Sequence, residues 1–105
     1  MDRIILQIES VISHLMKSEY DEYADGVSNL INSMIQIFPT IIACYYNPLM
    51  NEYVSDATYW PSQLERIMNA VKAEDELAVI DVLYNETYQN LIELKNILQQ
   101  KGIGL

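Results

Sequence analysis

Residues 20–38 read YDEYADGVSNLINSMIQIF. Tyr20, Tyr23, Val27, Leu30, Met34 and Ile37 recur in steps of three and four, and Ala24, Ile31, Ile35 and Phe38 widen that stripe. Asp21, Glu22, Asp25, Asn29, Asn32, Ser33 and Gln36 fill the other side. Apolar residues at helical pitch, backed by polar ones, make a helix that buries one face. Ser18 is the expected N-cap, with Asp21 three residues on. Pro39 removes a backbone donor and so kinks or ends this helix; the stripe carries on in phase through Ile41, Ile42 and Tyr45.

The same pitch extends outward in both directions. Ile4, Ile5, Ile8, Val11, Ile12, Leu15 and Met16 place an earlier helix over 2–16, with Asp2 at its positive end. The apolar phase slips by one residue near Lys17, which places a turn there; one long bent helix is the alternative. Asn47-Pro48 has the form of an N-cap followed by proline at the first helical position. A short extra helix over 48–55 would bury Leu49, Tyr53 and Val54. After Pro61, Leu64, Ile67, Met68 and Val71 define the inner face of a third long helix. A fourth, over 76–101, carries Leu77, Ile80, Tyr84, Leu91, Leu94 and Leu98, flanked by Leu83 and Tyr88, and leaves Val79 and Val82 outside. Gly102 and Ile103 suit a Schellman stop. The expectation is an all-α, antiparallel four-helix bundle, a single domain over 1–105.

Composition narrows function. Half of the 105 residues are hydrophobic, enough for a packed core. Fifteen acids against six bases give a net charge of −9. That argues against nucleic acid, whose phosphates need clustered Lys and Arg, and against anionic membrane surfaces. Gln7 and Glu9 interrupt any signal-peptide core, and no run approaches 18 apolar residues, so no membrane span is expected. Cys44 is the single cysteine; it reads as a small buried hydrophobe, and a cytoplasmic location is expected.

The acids concentrate in EDELAVIDVLYNE, residues 74–86. Asp75 is placed to cap the fourth helix, with Glu74 and Glu76 beside its positive end. At about 100° per residue Asp81 falls on the border of the apolar stripe, where a tyrosine hydroxyl would bond it, and Glu86 points away from the stripe. A di-iron bundle needs Glu-x-x-His pairs; the only histidine is His14, and Val11 stands three before it. His14 reads as a partly exposed helix residue. Arg3 and Arg66 do not have the spacing to a histidine used by helical ribonucleases, and there is no nucleophile elbow or phosphate-cradling glycine loop. A magnesium site of the kind built by all-α nucleotide pyrophosphohydrolases would draw on Glu19, Glu22, Glu52 and Asp56. Its second pair has one residue too many between the acids. The expectation is therefore no cofactor, no metal and no catalytic residue.

Half of the ten aromatics fall in YYNPLMNEYVSDATYW, residues 45–60. Without accompanying Lys or Arg they suit protein contacts better than base stacking. Tyr45, Tyr46, Tyr53, Tyr59 and Trp60 form the candidate interaction surface, for a protein partner or for self-association; closing one end of the bundle is the structural alternative.

Ala73-Glu74-Asp75, Ile80-Asp81-Val82-Leu83-Tyr84, Glu86 and Ala24-Asp25-Gly26-Val27 resemble the pattern of a family of small, uncharacterised all-helical bacterial domains, over about a third of the chain. The departure is Asn85, where that pattern has an acid. The resemblance implies a helical bundle with no established activity. Size, acidity and fold also bear comparison with helical export chaperones of the flagellar type.

Overall fold

The computed structural model describes residues 1–104. Four helical rods lie side by side in a body of 44 × 21 × 21 Å. Helix α1 spans Asp2–Met16 and α2 Tyr20–Cys44. A 3-10 helix, Pro48–Thr58, leads without a break into α3, Tyr59–Lys72. The last rod, α4, is three stretches end to end: an α-helical start Glu76–Ile80, a π-helical middle Asp81–Tyr88 and an α-helical end Gln89–Gln100. Contacts along the chain give the directions. Asp2 at the start of α1 meets Lys95 near the end of α4, Glu9 meets Tyr88, and Tyr45 just after α2 meets Trp60 at the start of α3. The rods therefore run alternately up and down, as expected of an antiparallel four-helix bundle.

The core is drawn from every rod. Ile4, Ile8, Val11 and Leu15 come from α1; Val27, Leu30, Met34, Phe38 and Ile41 from α2; Trp60 and Ile67 from α3; Leu83, Leu91, Leu94 and Leu98 from α4. At about 2 kcal/mol for each large apolar side chain removed from water, this shared interior is the main favourable term. Rods α1 and α2 approach closely at Gly26, where an added Cβ would stand 3.1 Å from Val11 Cγ2. A side chain larger than alanine there would push the two helices apart.

Pro39 neither stops nor divides α2, which continues to Cys44. Its missing N–H frees the carbonyl of Ile35, and both residues lie on the exposed side, where water takes the hydrogen bond. This helix corrects one expectation: an 18-residue window within it has a mean hydropathy of 1.4, long and apolar enough to cross a membrane. A core helix passes the same test, and the inner face of α2 is packed in the bundle.

Residues with positive φ end three of the rods. Ser18 does not cap α2. It ends α1 with φ 58°, its N–H donating to Leu15 O and that of Glu19 to His14 O, a Schellman stop built on a non-glycine residue. Glu74 ends α3 with φ 55° and its N–H donating to Val71 O at 3.1 Å. Gly102, φ 70°, ends α4 as expected, with Ile103 N–H donating to Leu98 O at 2.9 Å. Of the three side-chain caps read from the sequence, the other two are present: Asn47 accepts from Leu49 N at 2.9 Å and Asp75 from Ala78 N at 3.1 Å.

Several faces are rotated from their expected positions. In the 3-10 helix Met50 and Ala57 are buried, while Leu49 and Val54 face water and Tyr53 is half-buried; three residues per turn is not the α-helical period. In α3 the buried residues are Trp60, Gln63, Ile67 and Ala70, leaving Met68 outward. The largest change is in α4. Leu77 is 81% exposed and Tyr84 45%, whereas Val79 and Val82 are core residues. Val79, Leu83, Thr87 and Leu91 are all buried, four residues apart. In an ideal α-helix each such step overshoots a full turn by about 40°. The wider π turn removes the overshoot and keeps all four on one face.

That turn is held by a buried polar cluster. Thr87 Oγ1 donates to Val82 O at 2.9 Å, and Gln63 Nε2 of α3 donates to Thr87 Oγ1 at 2.8 Å, with Val82 O at 3.3 Å. Outside it, Arg66 forms a two-point ion pair with Glu86, which therefore faces α3 rather than away from it. Asp81 is exposed and accepts from Asn85 Nδ2 at 2.8 Å instead of from a tyrosine.

Candidate functional site

The end of the bundle where α2 passes into the 3-10 helix holds a cleft of about 250 Å³. Three segments build it. Tyr45 comes from the end of α2; Tyr53, Asp56, Tyr59 and Trp60 come from the 3-10 helix and the start of α3; Asn90 and Glu93 come from the last stretch of α4. The 3-10 helix is what brings Tyr53 and Asp56 into line with Tyr59, since side chains three apart on it lie in one row.

Four of the five aromatic residues singled out from the sequence meet here; Tyr46, 69% exposed, stands outside the cleft. They are not equivalent. Trp60 and Tyr45 are 1% and 4% exposed and belong to the core, because α3 packs against the end of α2 and the two rings form a buried floor. Trp60 Nε1 donates to Tyr45 Oη at 2.9 Å, and the Trp60 ring packs against Phe38 and edge-on to Tyr59. Tyr53 and Tyr59 are half-buried and form the walls. Asn90 Nδ2 donates to Tyr59 Oη at 2.7 Å and fixes that wall against α4.

The electrostatics follow from this packing. Burial raises the Tyr45 phenol above its ordinary 10.0, the Trp60 hydrogen bond opposes it, and Asp56 and Glu93 add to the rise. Burial likewise raises Tyr59, opposed by the Asn90 bond. Both phenols are neutral over the physiological range. Asp56 and Glu93 are exposed at the rim and have no ion-pair partner among the described residues. Lys101, bonded to Glu52 at 3.5 Å, places its ammonium 5.7 Å from the centre of the Tyr53 ring.

The residues lining the cleft include no histidine, cysteine, serine or lysine. Its chemistry is that of contact: ring faces, one amide and two carboxylates. The other candidate groups lie elsewhere. His14 is half-buried at the α1–α2 turn, 3.1 Å from Glu19. Cys44 is half-buried and its thiol is pushed up by burial. The four carboxylates considered for magnesium do not converge. Glu19 and Glu22 precede or open α2 and Glu52 and Asp56 follow it, so most of the length of that 25-residue helix lies between the pairs. No group of three or more His, Cys, Asp or Glu side chains among the described residues is placed to hold a metal ion.

Asn90 and Glu93 were not singled out from the sequence. The only trace of them there is their position flanking Leu91 and Leu94, and which flank faces the cleft depends on the π turn. No family model, no curated protein and no solved structure matches this chain.

Proposed function

We propose that the protein is a non-catalytic interaction module, working in the cytoplasm, that holds a protein partner at this aromatic cleft. The observation that carries the reading is an open cleft in which the half-buried Tyr53 and Tyr59 stand beside α4 over a floor of buried Tyr45 and Trp60. A rigid floor with half-exposed rings above it is how contact sites concentrate binding energy, because aromatic side chains give large area at small entropic cost. The hydrolase alternative loses its ligand set, since its acids stand at opposite ends of α2. Self-association has its own support in the shallow groove formed by Ile12, Met16 and Tyr84, of which Met16 is 73% exposed.

The test is site-resolved photo-crosslinking in the native host, with a photoreactive phenylalanine analogue at position 53 or 46 and, as controls, at Asn29 and Asn32 on the exposed face of α2. Discrete adducts from position 53, and weaker ones from 46, support the reading. Adducts of equal yield from the controls, or adducts of twice the protein's mass from every position, contradict it. Truncating Trp60 would be uninformative, because removing a core tryptophan costs about 3–5 kcal/mol and threatens the fold.

A further inference from the structure

We infer that the cleft is a seat for a single organic cation, the ammonium or guanidinium of a lysine or arginine side chain presented by the partner protein. The inference rests on the reading of the cleft as a contact site and adds the chemistry of what enters it. Size is the first ground. Pockets for drug-sized ligands run to ~300–1,000 Å³, and this cleft of about 250 Å³ suits one side chain. Wall chemistry is the second. Tyr53 and Tyr59 offer half-exposed rings, whose faces attract cations. The chain already uses one of these rings in this way, since the Lys101 ammonium lies 5.7 Å from the centre of Tyr53.

Charge is the third ground. Lys101 is matched by Glu52, whereas Asp56 of the 3-10 helix and Glu93 of α4 both line the cleft with no ion-pair partner among the described residues. Their fields converge on the floor, where both raise the Tyr45 phenol. A cation between them would meet two carboxylates and ring faces at once, and the net charge of −9 would draw a basic surface toward the protein. An acidic or neutral side chain would gain no ion pair from the two carboxylates.

Trp60 is the only tryptophan and forms the cleft floor, so the emission comes from this end of the bundle. Four capped tripeptides, with central lysine, arginine, acetyl-lysine or glutamate, would be titrated into the full chain. Lysine and arginine peptides should change the Trp60 emission saturably, with acetyl-lysine and glutamate peptides at least about fivefold weaker. Changing Asp56→Asn together with Glu93→Gln should weaken the lysine peptide by about fivefold or more. Both residues are exposed, so helicity by circular dichroism should be unchanged. Equal binding of acetyl-lysine, or no effect of the double change, would overturn the cation and leave the contact site standing. No response to any peptide, with crosslinks from position 53 intact, would also overturn the cation alone. Absence of both would remove the contact site as well.

Discussion

Gln63 on α3 and Thr87 on α4 share a hydrogen bond of 2.8 Å in a place where both side chains are cut off from water. Each serves the other: the threonine hydroxyl accepts from the amide and passes its own proton to Val82 O. Replacing either partner removes their shared bond, worth about 0.5–1.5 kcal/mol, while Val82 O still accepts from the one that remains. Thr87→Val and Gln63→Leu should each destabilise by at least roughly that amount in urea unfolding. The double variant should cost less than the sum by about 0.5–1.5 kcal/mol, because the shared bond is lost only once. Strictly additive losses would show that the two side chains do not act together.

The turns at Ser18 and Glu74 hold L-residues at φ 58° and 55°, where a Cβ is unfavourable. Glycine would relieve that conformation at some cost in unfolded-chain entropy. Ser18→Gly and Glu74→Gly should therefore each stabilise by about 0.5–1 kcal/mol. Gly102→Ala should do the reverse by a similar amount; space is open around it, so only its φ of 70° is at stake. The midpoints of thermal unfolding would check all three signs.

Alkaline pH should weaken the fold. Tyr23, Tyr45, Tyr59 and Tyr88 are all raised above 10.0, the first three chiefly by burial and Tyr88 chiefly by its hydrogen bond to Glu9. The folded protein then holds these protons more tightly than the unfolded chain. The stability they contribute is complete below about pH 10 and is lost as pH rises through the folded values. Absorbance at 295 nm should show these four tyrosines ionising above pH 10, together with loss of helicity. A single set titrating near 10 while the helices persist would contradict this.

The sequence was most legible where one residue type has one physical use. Asp2–Met16, the caps at Asn47 and Asp75 and the Gly102–Ile103 stop follow from pitch, side-chain acceptors and positive φ. It was least legible where the backbone leaves the α-helical period. Leu77 and Tyr84 fit an inner stripe only if every residue of α4 turns by about 100°, and the π turn breaks that condition. The 3-10 helix does the same to Leu49 and Val54. Gathering aromatics at 45–60 was visible as composition. Their division into floor and wall was not, since it depends on how the 3-10 helix packs against α2 and α4.

The rotation of α4 underlies the core and the cleft alike, because it decides which of its side chains face inward from Val79 to Glu93. The most direct measurement is the stability of Leu77→Asp beside that of Val79→Asp, followed by circular dichroism during thermal unfolding. Leu77 is 81% exposed and Val79 2%. Leu77→Asp should be tolerated within about 0.5 kcal/mol, and Val79→Asp should cost about 3 kcal/mol or more, as a carboxylate forced into the core. Loss of the fold with Leu77→Asp and tolerance of Val79→Asp would mean that α4 is an unbroken α-helix with the opposite face inward.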